Sequence, residues 1–141
     1  RAGAVPSGAL IKMCFSGQYT EKEVYKKIVG GGGFNAYCGT NDMRDVEKAV
    51  LAGDEQAIEY RDSFILQVAK DMGSMACVLD GKVDQIIVTG GIAYDKGVVA
   101  GLKERAEWIA PFTVYPGEDE LLALVQGGLR VVNGVEEAMK Y

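Results

Sequence analysis

Two adjacent glycines, Gly90 and Gly91, follow the short apolar run Ile86-Ile87-Val88 and precede a helical pattern. The run is β-branched and lacks polar alternation, which is typical of a central strand buried on both faces of a parallel sheet. Because the glycines have no Cβ atom, another molecule can approach their main chain. Free N–H groups at the following helix start favour an anion. On this pattern alone the stretch is either an anion-binding turn or an ordinary tight turn.

Charged side chains at predicted helix starts form two further candidates. Glu118-Asp119-Glu120 follows Pro116-Gly117 and, taken alone, is typical of a helix start, where the dipole favours negative charge. Arg44 also stands at a predicted helix start, after Asp42. A cation is unfavourable there, which indicates that Arg44 faces an anion or an aromatic ring, although a solvent-facing side chain is more common.

Composition excludes several classes of function. The 141 residues carry 20 acidic and 15 basic side chains, a net charge of −5, with no run of more than two Lys or Arg, which excludes a nucleic-acid surface. No apolar stretch reaches the roughly 18 to 20 residues that span a bilayer, and the first residues lack a signal-peptide core. We therefore expect a soluble, cytoplasmic protein. The chain has no histidine, so any catalysis must use carboxylates, Arg, Lys or a bound hard cation.

The pattern predicts a helix-rich α/β domain. The single domain starts without Met in an unpatterned loop, and two strands alone make a poor sheet, so we expect missing strands upstream of residue 1. The odd, widely spaced cysteines Cys14, Cys38 and Cys77 predict reduced thiols in the core. Predicted helices are 9–13 (capped by Ser7), 20–29, one starting at 41, 55–79, 96–108, 121–132 and one starting at 134; predicted strands are 83–88 and 112–115. Residues 30–40 form either a flexible linker or, as their aromatic side chains favour, a packed glycine-rich loop.

Some packing details are also predicted. Thr20 and Glu23 have the spacing of a capping box, and the Tyr25 ring is expected to face inward. Asp54 marks the start of the long helix, along which apolar residues from Ile58 to Leu79 form one stripe. The inward residues of helix 96–108 are expected to be Val98, Val99, Leu102 and Ala106.

Five stretches resemble, in order, the C-terminal part of butyrate kinases, in the acetate kinase branch of the sugar kinase, Hsp70 and actin-like superfamily. The stretches are Arg1-Ala2-Gly3, Gly30 through Asp45, Gly81 through Asp84 with Thr89 through Tyr94, Pro116 through Glu120, and Gly128 through Val131. The forms Thr-Gly-Gly-Ile-Ala-Tyr and Tyr-Pro-Gly-Glu-Asp-Glu resemble butyrate kinases more than acetate kinases.

The resemblance implies part of a ribonuclease H-like lobe with ATP or ADP and Mg²⁺ as cofactors. It implies that Arg1 contacts the transferring phosphoryl group. For magnesium it favours Asp119, with Glu118 and Glu120 as competitors. The implied nucleotide contacts are Asp42, Met43, Arg44, Gly90, Gly91, Ile92 and Asp95.

The implied reaction is reversible phosphoryl transfer between ATP and butyrate. Residues 1–141 would be a C-terminal nucleotide-binding lobe, incomplete at its N-terminal side and inactive without the preceding lobe. The expected partners are a short-chain carboxylate or acyl phosphate, that lobe and a second copy in a homo-oligomer, but neither nucleic acid nor a membrane. Alternatives are a kinase for acetate, propionate or branched-chain acids, a non-catalytic nucleotide-binding or oligomerisation module, and a helical interaction domain.

Overall fold

The structure is a computed structural model that describes residues 3–117 and 119–139. Within these residues the chain forms seven α-helices, two strands and one 3₁₀ turn. In chain order they are α1 (Ser7–Cys14), α2 (Glu21–Val29), α3 (Phe34–Cys38), α4 (Met43–Leu51), α5 (Glu55–Val78), β1 (Ile86–Gly90), the 3₁₀ turn (Gly91–Tyr94), α6 (Lys96–Ala106), β2 (Phe112–Pro116) and α7 (Glu120–Val132).

The two strands form a parallel pair, as the strand–helix–strand spacing predicts. Ile86 pairs with Phe112 and Gly90 with Pro116, and α6 is the crossover between them. The prediction that the 86–88 run is buried on both faces is wrong for this structure. Val88 is 8% exposed but Ile87 is 60% exposed, because within the described residues the sheet has only two strands and one face at Ile87 has no covering element.

The core lies between α5 and α6. Ile65 of α5 packs against Val98 and Leu102 of α6, and all three are buried. Of the predicted inward residues of α6, Val98, Leu102 and Ala106 are buried, whereas Val99 is only half-buried. The apolar stripe predicted along α5 is only half correct, since Met75 and Leu79 near its C-terminal end are exposed.

Local signals explain most helix bounds. The Thr20 hydroxyl accepts from the Glu23 N–H, and the Glu23 carboxylate accepts from the Thr20 N–H at 2.7 Å, so the predicted capping box at α2 is confirmed. Asp54 caps the long helix α5 as predicted, accepting from two backbone N–H groups. In contrast, Ser7 lies inside α1, because Pro6 takes the cap position.

Two other segments differ from the prediction. The predicted loop contains α3, whose Phe34 packs on Phe64 and Tyr37 on Tyr60, with ring centroids 5.3 and 4.6 Å apart. No helix begins at Gly134 within the described residues. Gly134 has φ +69° and ends α7, since its N–H donates to the Val131 carbonyl.

Smaller packing predictions also need correction. The Tyr25 ring is exposed instead of facing inward, and the three cysteines are unpaired but exposed or half-buried, not in the core. α6 ends at Ala106, two residues before the predicted end. None of the described helices is both long and apolar enough to cross a membrane.

Candidate nucleotide-binding site

The candidate site centres on the turn that ends β1. Gly90 has φ +83° and ψ −175°, a conformation that residues with a Cβ rarely adopt. Gly91 opens the 3₁₀ turn and is exposed. A Cβ added at Gly91 would meet no atom of the described residues within 4 Å. The main chain at Gly91 is therefore open to an approaching molecule.

A second glycine segment is bound to this turn. The Gly117 N–H donates to the Gly90 carbonyl at 3.1 Å, and the Gly90 N–H donates to the Gly117 carbonyl at 3.2 Å. Gly117 has φ +109°, and an added Cβ would lie 2.9 Å from the Tyr94 hydroxyl oxygen. The backbone conformation favours glycine at 117, and a side chain there would also have to displace the exposed Tyr94 hydroxyl. This pairing fixes Gly117 against the turn.

Asp42 and Arg44 form a compact charged pair at the start of α4. The Asp42 carboxylate caps the helix by accepting from the Arg44 N–H at 3.0 Å. It also accepts from Arg44 Nε at 2.9 Å and Nη2 at 2.5 Å. These hydrogen bonds lower the pKa of Asp42 from 3.8 to about 2 and raise the pKa of Arg44. Arg44 therefore faces an anion, as one of the sequence interpretations predicts, while its side chain stays 83% exposed.

The turn and the start of α4 pack against the same core cluster. Met43 and Ile92 both pack against the core cluster of Ile65, Val98 and Leu102. Because these two apolar side chains are anchored on the same cluster, the structure brings the predicted residues 42–44 and 90–92 onto one core. An apolar wall, an open main chain and an exposed guanidinium that can stack on a ring are together compatible with a bound nucleoside.

Asp95, the residue that follows the 3₁₀ turn, has a structural role as the N-cap of α6. It is 6% exposed, and its Oδ1 accepts from the Val98 N–H at 2.9 Å, which caps α6. Its Oδ2 is buried and has no hydrogen-bond partner among the described residues. Of the predicted nucleotide contacts, Asp95 is thus the most enclosed.

The predicted metal and catalytic residues are only partly described. Asp119 and Glu120 are exposed, at the start of α7. Arg1 and Glu118 lie outside the described residues. The part of the chain that is described holds no group of three or more potential metal ligands. The exposed single carboxylate of Asp119 fits a Mg²⁺ ion that keeps most of its waters, and does not fit a closed protein cage.

Sequence reasoning missed two neighbours of the turn. It gave no role to the Tyr94 ring over Gly117, or to Arg61, whose guanidinium lies near Gly97 at the start of α6. The Pro-Gly pair before the acids was a signal for a special turn at Gly117. No sequence signal linked Arg61 to this site, since the contact joins two helices far apart in the chain.

A polar cavity of about 260 Å³ is bordered by α3, α4 and the start of α5. The stacked rings of Tyr37 and Tyr60 line it, together with Asp45, Asp54 and Cys38. Burial and the nearby Asp54 raise the pKa of the Cys38 thiol. α3 therefore has a packing role that brings the glycine-rich segment against α5.

Comparison with known proteins places these features in a family. The acetokinase family profile matches residues 1–107. The chain is 59% identical over its full length to a probable butyrate kinase from Clostridium botulinum strain Alaska E43, and 57% identical to butyrate kinase 2 from Clostridium acetobutylicum. It spans 40% of the length of these curated relatives.

A solved structure shows the same fold. The Porphyromonas gingivalis acetate kinase aligns with a TM-score of 0.77 at 18% identity, over 92% of this chain and 39% of that one. This likeness confirms the predicted fold class as helix-rich α/β, with the fold of part of an acetate kinase. Because the family profile covers well over half of the residues, the chain belongs to the acetokinase family.

Proposed function

We propose that this chain is the nucleotide-binding part of a butyrate kinase. The reaction would transfer the γ-phosphoryl group of ATP to a butyrate oxygen, giving butyryl phosphate and ADP, and would be reversible. The P–O bond to the β-phosphate breaks as the bond to the carboxylate oxygen forms. The observation that carries this proposal is the full-length identity of 59% and 57% to two proteins named as butyrate kinases.

The geometry supports the nucleotide half of the proposal. Gly90, Gly91 and Ile92 would approach the nucleotide through their main chain, which is open at Gly91. Met43 would form an apolar wall and Arg44 would lie near the base plane. Asp42 would hold the Arg44 guanidinium through the hydrogen bonds that it accepts. Asp95 would act beneath them, by fixing the start of α6.

Magnesium would be held mainly by water and phosphate oxygens. When bound, Mg²⁺ neutralises charge that develops on the phosphoryl oxygens. Asp119 would orient the water shell of the ion, with Glu118 and Glu120 as competitors. Arg1 would contact the transferring phosphoryl group, by resemblance to the family's Arg-Ser-Gly motif. The hydrogen bonds between Gly90 and Gly117 support this arrangement, because they hold Gly117, the residue that precedes the acidic run in sequence, against the turn.

We further propose that a second lobe precedes residue 1, that this chain is the C-terminal lobe, and that the complete enzyme is a cytoplasmic homo-oligomer. Exposed apolar side chains on α7 support a contact with more protein: Leu121 and Val132 are each 81% exposed. The carboxylate pocket would lie mainly on the preceding lobe, so this chain alone would be inactive. The same apolar face favours the second candidate, a non-catalytic interaction module.

Steady-state kinetics of the intact protein test the proposal. Rates with ATP and Mg²⁺ would be measured on acetate, propionate, butyrate and isobutyrate. We expect the highest kcat/KM on butyrate. A clear preference for acetate would overturn the substrate class, and nucleotide binding without turnover on any of the four acids would favour the non-catalytic module.

A further inference from the structure

The carboxylate of Asp95 is buried and only half satisfied. One oxygen caps α6 through the Val98 N–H, and the other, Oδ2, is enclosed without a donor among the described residues. An ionised carboxylate in such a place is costly unless it is paired. The dipole of α6 supports the capping oxygen. The other oxygen, Oδ2, still lacks a hydrogen-bond donor among the described residues.

Gly97, two residues further along, leaves a gap between Asp95 and an arginine. A Cβ added at Gly97 would lie 3.3 Å from Asp95 Oδ1 and 3.5 Å from Arg61 Nη1. The carboxylate of α6 and the guanidinium of α5 therefore border the same small space. Any residue other than glycine at 97 would put an atom between them.

Arg61 is oriented to use this gap. Its side chain is 22% exposed. Nε and Nη2 donate to Asp62 Oδ1 at 3.1 and 2.9 Å, so Nη1 is the guanidinium nitrogen on the side of Gly97. The Asp62 carboxylate is half exposed, and ion pairs of exposed carboxylates contribute little stability. A side-chain rotation that exchanges Asp62 for Asp95 would thus bring a cationic donor to the buried carboxylate, whose Oδ2 has no partner among the described residues.

We propose that Arg61 is the counter-ion of Asp95 and a positioning residue for the glycine turn. In this arrangement the Arg61 guanidinium turns away from Asp62, donates to the Asp95 carboxylate across Gly97, and ties α5 to the first residue after the 3₁₀ turn. The link holds Gly90 to Tyr94 in the conformation that presents its main chain. Its effect on ligand binding rests on the proposed function, in which this turn contacts the nucleotide.

The test is a double-mutant cycle in the intact enzyme with Arg61→Gln, Asp95→Asn and both together. Arg61→Gln leaves a buried charge unpaired, whereas Asp95→Asn keeps a good capping side chain and removes the charge. We expect Arg61→Gln to lower Tm by about 2 °C or more. It should also raise the nucleotide Kd about threefold or more, with the KM for the carboxylate unchanged. Adding Asp95→Asn should restore part of both losses.

Two controls separate pairing from general packing. Asp62→Asn removes the exposed partner of Arg61 and should leave Tm and Kd unchanged. Gly97→Ala should lower Tm although alanine favours helices, because the Cβ enters the gap.

Unchanged Tm and Kd in Arg61→Gln, or losses that simply add in the double variant, would overturn the pairing. A wild-type enzyme that binds no nucleotide would instead overturn the proposed function, while Tm would still test the pair. A rescue of Tm without any effect of Arg61→Gln on Kd would overturn the positioning role.

Discussion

At the scale of single residues, the charged pair at the start of α4 gives a pH-dependent prediction. The folded pKa of Asp42 is about 2, below its ordinary value of 3.8. A carboxylate whose pKa is lowered by folding stabilises the folded state above pH 3.8, and this contribution is lost as the pH falls towards about 2. Asp42→Asn keeps the cap but removes the ion pair.

We therefore expect the free energy of unfolding of Asp42→Asn to fall less steeply than that of the wild type across this acidic window. Urea unfolding at several pH values measures both slopes. High salt should reduce the difference, because Arg44 is exposed and its charge is screened. Parallel slopes at low salt would mean that the pair contributes nothing to folding.

Arg1 gives a second prediction at this scale, as a proposed catalytic residue that lies outside the described part of the chain. In the intact enzyme, Arg1→Ala should reduce kcat by roughly 10³-fold, because an arginine that meets charge only in the transition state affects turnover and not ground-state binding. Arg1→Lys should recover only part, since Lys lacks the planar fork. A variant with near-normal kcat and a Tm several degrees lower would instead indicate a structural residue.

At the scale of elements, the close approach of α5 and α6 depends on Gly101. A Cβ added there would lie 2.8 Å from the Cδ1 atom and 3.2 Å from the Cγ2 atom of the buried Ile65. Gly101→Ala gains helix propensity but overpacks the core, and overpacking is the larger effect. We expect the free energy of unfolding of the intact protein to fall by about 1 kcal/mol.

Gly73 is the matched control for this change. It lies inside α5, and an added Cβ would meet no described atom within 4 Å. Gly73→Ala should therefore raise the free energy of unfolding by about 0.5–1 kcal/mol. Chemical denaturation of both variants shows whether each substitution raises or lowers the free energy of unfolding. Stabilisation by Gly101→Ala as well would show that the two helices have room to separate.

Elements with strong local signals could be predicted from the sequence. The capping box at Thr20, the Asp54 cap and the β-branched strand at Ile86 all depend on neighbours in the chain, and the structure contains each of them. The prediction of a helix starting at Gly134 is wrong, because a glycine that follows an apolar run can either end one helix or precede the next. Its left-handed conformation identifies it as an end.

The candidate site could be predicted from the sequence only in part. The glycine turn and the acidic run are each a short continuous stretch of sequence, and the resemblance to a known family pointed to both. The contact of Tyr94 with Gly117, and the approach of Arg61 to Asp95 across Gly97, join residues from separate elements. Sequence periodicity gives the inward face of a helix but not which side chain opposes it, so these contacts required the structure.

At the scale of the whole molecule, the exposed apolar surface agrees with a chain that spans 40% of its relatives. Ile87 on the sheet, Met75 on α5 and Leu124 on α7 are each more than half exposed. An apolar groove also runs between the end of α5 and β1, lined by Met72, Leu79 and Ile86 among others. Surface of this kind marks a protein contact, and the preceding lobe that we propose would cover it.

The central claim is that the nucleotide lies against the main chain of the turn after β1. Because Gly91 is exposed and an added Cβ meets open space, Gly91→Val should fold normally while its side chain occupies the nucleotide's approach. Gly8→Val is the control, since Gly8 is equally exposed and open but lies on α1.

The measurement is the calorimetric Kd for ADP and ATP in the intact protein and its two variants. For Gly91→Val we expect Kd to rise at least about tenfold, or 1.4 kcal/mol, with an unchanged Tm. For Gly8→Val we expect the wild-type Kd. A correctly folded Gly91→Val protein with wild-type nucleotide affinity would contradict the account and leave the two glycines as an ordinary turn.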